Sequence, residues 1–130
     1  MAADSDWIIL DTSALLLLFT NEPGAQTVAA HRDRLAIPFI SLTEFMYLIW
    51  RRHGEDEAVA RYTLVTEWKR PILWPDERIL LIASRFKDQY NLRLADSYIV
   101  AFAKIYESPL LTKNRDYQRL QKEVSLISLF

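Results

Sequence analysis

The sequence contains no cysteine. A disulfide scaffold, a thiolate metal site and a cysteine nucleophile are therefore excluded. Glycine is reduced to two residues and proline to five in a chain of 130, too few for long flexible linkers. A basic excess is also missing: 16 Lys and Arg stand against 17 Asp and Glu, a formal net charge of −1. Phosphate contacts supply most of the affinity of a general nucleic-acid binder. Any nucleic-acid binding here must come from a local patch or through a bound cation. Finally, there is no long apolar run. The most apolar stretch, 7–19, falls short of the roughly 20 residues that span a bilayer, and Asp11-Thr12-Ser13 interrupts it. The opening Met1-Ala2-Ala3-Asp4-Ser5-Asp6 is polar and acidic, unlike a secretory signal. The expectation is a soluble, cytoplasmic protein with no membrane partner.

What is present is a chain 51% hydrophobic, enough for one real core, and a length that fits a single domain over 1–130. No repeat or composition break divides it. Short apolar runs alternate with amphipathic ones, which points to an α/β layer fold. Trp7-Ile8-Ile9-Leu10 reads as a buried strand running into a helix over 14–19. Asn21-Glu22-Pro23-Gly24 is a turn. Residues 25–34 read as helix and Leu35-Ala36-Ile37 as a short strand before Pro38. Ser41 is expected to open a helix that Gly54 ends. A second helix covers 55–69. Ile72-Leu73-Trp74 reads as a strand, Pro75-Asp76 opens a helix to about Tyr90, and 94–107 is helical. Leu110-Leu111 leads to a strand end at Thr112, followed by a short helix over 117–121 and a last strand over 124–129. Strands separated by helices imply a mainly parallel sheet covered on both faces. In such sheets, sites form beyond the carboxyl ends of the strands.

The residues just after the strands are therefore the ones to weigh. Asp11 follows a fully apolar strand; as a good helix cap it also has a purely structural reading. Glu44 stands three residues after Ser41, the spacing of a capping box. Asp96 is harder to explain structurally. It shares one helical face with Ile99, Val100 and Ala103, and a carboxylate on an apolar stripe is costly unless paired. A cation, the helix N-terminus or Arg93 at i−3 can supply the pairing. Asn114 and Asp116 lie in Thr112-Lys113-Asn114-Arg115-Asp116-Tyr117, which by itself is an ordinary polar turn. Taken together, these acids fall at places a parallel sheet gathers on one edge. Clustered carboxylates repel unless cations neutralise them. All-oxygen ligands select a hard ion, Mg²⁺ or Mn²⁺, and such a site suits phosphoryl chemistry.

Four segments carry a resemblance to a known family: Ile8-Ile9-Leu10-Asp11-Thr12-Ser13-Ala14, Ile40-Ser41-Leu42-Thr43-Glu44-Phe45, Leu94-Ala95-Asp96-Ser97-Tyr98-Ile99 and Leu110-Leu111-Thr112-Lys113-Asn114-Arg115-Asp116-Tyr117. In order and spacing they resemble the PIN-domain nucleases, especially the VapC-type toxins of toxin–antitoxin pairs. The resemblance implies a three-layer α/β/α sandwich, commonly a homodimer, held inactive by a cognate antitoxin. It implies metal-dependent endoribonuclease activity on structured RNA such as tRNA or rRNA, with Mg²⁺ or Mn²⁺. Asp11, Glu44, Asp96 and Asp116 would be the catalytic acids. Asp11, Glu44, Asp96, Asn114 and Asp116 would hold the metal, and Thr12, Ser13, Thr112, Lys113 and Arg115 would line the site. The family loop usually carries an acid where this chain has Asn114, which offers a carbonyl oxygen but no charge.

Lys113, Arg115, Arg119 and Lys122 cluster near this loop. Lys113 and Arg115 are the better candidates for phosphate contacts, while Arg119 and Lys122 read as a solvated face. The four tryptophans read as core or interface residues, and His31 and His53 as surface positions. No histidine or cysteine stands at zinc-ligand spacing. The apolar faces around 15–19 and 45–50 offer either core packing or a groove for a partner helix. Three rivals to a toxin nuclease remain: a receiver-like Mg²⁺ domain, a PIN-fold protein that binds without cutting, and an RNA-processing nuclease without an antitoxin. The receiver reading lacks the acidic pair expected after the first strand.

Overall fold

The computed structural model describes residues 6–20 and 22–130. The expected turn at Asn21 thus lies partly outside the described residues. The elements run β1 (Ile8–Leu10), α1 (Thr12–Leu17), α2 (Ala25–Ala30), a 3₁₀ turn (Arg32–Arg34), β2 (Leu35–Pro38), α3 (Phe39–His53), α4 (Glu55–Glu67), β3 (Ile72–Leu73), α5 (Glu77–Tyr90), α6 (Leu94–Ile105), β4 (Leu110–Thr112), a 3₁₀ helix (Arg115–Leu120) and β5 (Leu126–Ser128). The five strands form one sheet in the order β3-β2-β1-β4-β5. Every pairing is parallel, with Ile8 opposite Leu35, Ile9 opposite Leu110 and Ile37 opposite Ile72.

Strand alternation sorts the core into two layers. Ile8, Leu10, Leu35, Ile37 and Leu111 face α1–α4, where Leu15, Phe45, Ile49 and Val65 meet them. Ile9, Ala36, Leu73 and Leu110 face α5, α6 and the second 3₁₀ helix, against Phe86, Phe102 and Tyr117. The result is the expected α/β/α sandwich. Ile8, Ile9 and Leu10 are fully buried, and each contributes about 1.5–3 kcal/mol. That sum offsets the cost of drawing Asp11, the next residue, out of water. Among the described residues, no helix is long and apolar enough to cross a membrane.

Local chemistry explains most boundaries. Asp76 caps α5, its carboxylate accepting from the Ile79 N–H at 3.0 Å. Gly54 joins α3 to α4 at φ 87° and ψ 179°, a conformation open essentially to glycine alone. One expectation fails in an informative way. The helix carrying Glu44 does not open at Ser41 but at Phe39, with Pro38 as its N-cap and no side-chain cap. Pro38 is still paired in the sheet, opposite Leu73, so the chain passes straight from strand into helix. The capping box therefore does not form. Ser41 is buried in the first turn with its hydroxyl unpartnered, and Glu44 falls in the second turn, released for contacts elsewhere. The expected helix over 25–34 breaks after Ala30, and the short helix after Thr112 starts earlier than expected, as 3₁₀.

Candidate metal centre

The strand order reverses direction between β1 and β4, the place where open α/β sheets form their crevice. Beyond the carboxyl ends of these strands lies a cleft of about 340 Å³ lined by Asp11, Thr12, Ser13, Glu44, Asp96 and Asn114 together with Arg93 and the side chains of Leu16, Tyr47 and Leu48.

Asp11 emerges from β1 and is 3% exposed. Its Oδ2 accepts from the Ser13 hydroxyl at 2.6 Å and the Thr112 hydroxyl at 2.7 Å. Tyr117, wholly buried, directs its hydroxyl at Oδ1 from 3.5 Å. The two short-chain hydroxyls are themselves held from behind. Ser13 accepts from the Lys113 N–H at 3.0 Å and Thr112 from the Asn114 N–H at 2.9 Å. Each hydroxyl has one proton and spends it on Asp11. The β1 end and the β4 loop are thus fastened to each other through one carboxylate. Burial holds the Asp11 carboxyl above its ordinary pKa, the hydroxyl hydrogen bonds opposing it.

Asp96 stands in the first turn of α6 and is 7% exposed. Its carboxyl is also raised, first by burial and then by the charge of Asp11. A hydrogen bond from Tyr117 and the charge of Arg93 pull it back. The Tyr117 phenol, caught between these acids in an apolar setting, titrates well above its ordinary value. It stays protonated and serves as donor.

Glu44 uses both oxygens. Oε1 accepts from the Thr12 hydroxyl and Oε2 from the Arg93 guanidinium, each at 2.7 Å. Arg93, expected as a rival partner of Asp96, therefore pairs with Glu44 instead. Asn114 lines the cleft, but its Oδ1 accepts from the Asp116 N–H at 3.0 Å and caps the 3₁₀ helix. Asp116, Lys113 and Arg115 do not line the cleft. The Asp116 carboxylate points to Arg119 at 3.5 Å, Lys113 pairs with Glu22 at 3.5 Å, and Arg115 lies over the Phe130 ring at 5.1 Å. All three are exposed at the rim.

Sequence reasoning missed two contributors. It gave no role to the Tyr117 hydroxyl, although the signal was a tyrosine rather than a hydroxyl-free aromatic behind the acidic loop. It weighed Arg93 only as a rival partner for Asp96, because the helical spacing to Asp96 is visible in sequence and the contact with Glu44, 49 residues away, is not.

Among the described residues, no group of three or more His, Asp or Glu side chains is arranged to hold a metal ion. Magnesium keeps several waters and commonly takes only one or two protein carboxylates. Asp11 and Asp96 supply that number, all donors are oxygen, and both carboxylates lack a paired cation of their own. The donor set fits a hard divalent ion, with the Glu44 carboxylate and the Asn114 carbonyl at hand.

The sequence matches the PIN domain family over residues 8–123. A comparison with curated proteins gave no match. Among solved structures, the chain is similar to a toxin–antitoxin complex from Klebsiella pneumoniae, at 25% identity and TM-score 0.74, covering 95% of this chain and 98% of that one. It shares its fold with a DNA-bound VapBC from Salmonella typhimurium at 16% identity and TM-score 0.80, covering 95% and 98%. It likewise shares it with VapC20 of Mycobacterium tuberculosis, a Sarcin-Ricin loop cleaving toxin, at 16% identity and TM-score 0.71, covering 87% and 94%.

Proposed function

The chain belongs to the PIN-domain family, and from that premise we propose that it is a metal-dependent endoribonuclease, the toxin of a type II toxin–antitoxin pair, acting in the cytoplasm. The observation that carries the nuclease reading is the pair of buried acids, Asp11 and Asp96, brought from a strand end and a helix start to one hydroxyl in one cleft. Burial raises both carboxyls, and neighbouring acids add to it, Glu44 at Asp11 and Asp11 at Asp96; a cation would relieve that repulsion. Asp11 and Asp96 would hold Mg²⁺ or Mn²⁺, with Glu44 and Asn114 completing the set. An ion held there would supply polarisation of a phosphate oxygen and a water made more nucleophilic at neutral pH.

The chain's own residues do the rest. Ser13 and Thr112 fix the Asp11 rotamer, and a fixed ligand spares the site the reorganisation a loose one needs. Tyr117 sets its one hydroxyl between Asp11 and Asp96, within reach of both. Asp116 stands outside the cleft, so its catalytic part would require the loop to move; in the described geometry it orients Arg119. Lys113 and Arg115 stand at the rim, where a local positive edge meets RNA phosphates despite the net charge of −1. The substrate would be a structured RNA such as tRNA or rRNA.

The partner reading comes from the toxin–antitoxin complexes among similar structures. We assign a cognate antitoxin on that basis; the homodimer rests on the family resemblance alone. Leu16, Tyr47 and Leu48 give the cleft an apolar wall, and Tyr47 and Trp50 are exposed large apolar side chains on the same helix. A binding-only PIN protein is the second reading, favoured by Asn114 in place of an acid and by the Glu44–Arg93 pair.

The test is cleavage of total cellular RNA by the antitoxin-free protein in Mg²⁺, Mn²⁺ or EDTA, compared with Asp11→Ala and Asp96→Asn. Discrete fragments that require both metal and the acids support the nuclease. Folded protein that cuts nothing in any metal supports the binding-only reading. Cleavage by Asp96→Asn at the parental rate would mean the site is misassigned.

A further inference from the structure

Arg93 is the one cationic side chain lining the acidic cleft among the described residues. It meets three carboxylates, those of Asp11, Glu44 and Asp96, and contacts one of them. The contact is a single hydrogen bond to Glu44 at 2.7 Å, not a two-pronged one. Its backbone is fixed. The Arg93 carbonyl accepts from the Ser97 N–H at 3.0 Å and from the Ser97 hydroxyl at 3.1 Å, as the residue opening α6. Its side chain is 73% exposed against 23% for Glu44 and has that one hydrogen bond to hold its head. A rigid base with a solvated, singly bonded head is a cation that can leave without disturbing the fold. Glu44 meanwhile stays in place when Arg93 leaves, because Thr12 still donates to its other oxygen. The pair spans 49 residues and joins α3 to α6, so no local helix preference accounts for it.

We propose that Arg93 is a displaceable resident cation of the cleft: its guanidinium occupies Glu44 while no divalent ion is bound, and swings into solvent when Glu44 is taken by one. Arg93 then acts through Glu44 as a positioning residue that sets how readily the site loads. This inference rests on the metal reading above. Displacing a +1 group that shares a carboxylate oxygen with the incoming +2 ion raises the concentration of metal needed. An exposed pair of this kind is worth a factor of about 1.4 to 5 in an equilibrium constant, and the effect on affinity is of that size.

The experiment is a calorimetric Mn²⁺ titration of the full chain without antitoxin, alongside melting in EDTA, for the parent, Arg93→Gln, Arg93→Lys, Glu44→Gln and the Arg93→Gln/Glu44→Gln double variant. Arg93→Gln is expected to bind Mn²⁺ about 1.4- to fivefold more tightly and to melt lower in EDTA, because the carboxylates lose their counter-charge. Arg93→Lys keeps the charge and should track the parent in both measurements. With Glu44 neutralised, removing the guanidinium should no longer change the affinity, as the double-variant cycle reads directly. Equal or weaker Mn²⁺ binding by Arg93→Gln, with the parent binding normally, overturns the inference and leaves the metal site standing. An Arg93→Gln effect that persists undiminished without Glu44 also overturns it. No Mn²⁺ binding by the folded parent sinks the metal reading itself, and Arg93's part in loading with it.

Discussion

Glu123→Gln should cost this protein measurable stability without touching the cleft. The Glu123 carboxylate is 15% exposed and takes hydrogen bonds from Arg85 at 3.1 and 3.3 Å and from the Tyr90 hydroxyl at 2.9 Å, with Lys104 at 3.3 Å. It ties α5, α6 and the segment before β5 into one unit. These partners, Arg85 foremost, pull its pKa from 4.5 to about 2. A shift of that size corresponds to about 3 kcal/mol at neutral pH. Arg85 and Lys104 are each more than a third exposed, and glutamine keeps part of the hydrogen bonding. Solvent screening and this retention reduce the expected loss to about 1–2 kcal/mol. With an unfolding entropy near 2.1 cal/mol/K per residue, that lowers Tm by about 4–7 °C for a chain of this length.

The pH dependence has a definite sign. A carboxyl whose folded pKa lies below its unfolded one stabilises fully above the unfolded value and loses that contribution as pH falls through the folded one. The gap in Tm between parent and Glu123→Gln should therefore be widest above about pH 4.5 and close as pH approaches 2. Asp11 and Asp96 act in the opposite direction in the metal-free protein, being raised, but they are common to both proteins and cancel in the difference. Circular-dichroism melts in EDTA from pH 7 down to 2.5 make the measurement. A gap under 1 °C at pH 7, or one that stays constant down to pH 2.5, refutes the reasoning.

Four further outcomes are expected. Asp96→Asn should abolish divalent-ion binding, yet raise the metal-free Tm at neutral pH, because it removes a charge that burial and Asp11 disfavour; a lower Tm in EDTA would contradict this. For the same reason the raised acids make the metal-free parent gain from them as pH falls from neutrality toward their ordinary value of 3.8, a trend that saturating Mg²⁺ should remove, and scanning pH with and without the ion reads it. Tyr117→Phe should cost on the order of 1–3 kcal/mol, the worth of a buried hydrogen bond to a charged group, and an unchanged melt would show that the hydroxyl supports neither acid. Asn114→Asp keeps the cap on the Asp116 N–H and adds a charge to the cleft wall. It should tighten Mn²⁺ binding, and an unchanged titration removes Asn114 from the ligand set.

What could be read from the residues alone follows short-range physics. The apolar run Ile8-Ile9-Leu10 ending in Asp11 can only be a buried strand stopping at a polar edge, and parallel crossovers then fix which edge. Asp96 on an apolar helical stripe announces an acid that needs a partner. The absence of cysteine and of a second zinc-spaced ligand leaves oxygen chemistry. Gly54 marks its turn because few other residues tolerate that backbone. Tertiary structure alone decided the rest. Ser41-Leu42-Thr43-Glu44 satisfies the local rule for a capping box, but pairing of Pro38 with Leu73 carried the strand one residue further and the helix opened two residues earlier, at Phe39, which left Glu44 free to line the cleft. Arg93 is three residues from Asp96 and 49 from Glu44, and only the packing of α6 beside α3 made the distant acid its partner. The Tyr117 hydroxyl reached Asp11 across 106 residues because β1 and β4 are neighbours. Local pattern records what each segment buries; which charges meet is set by how the buried faces stack.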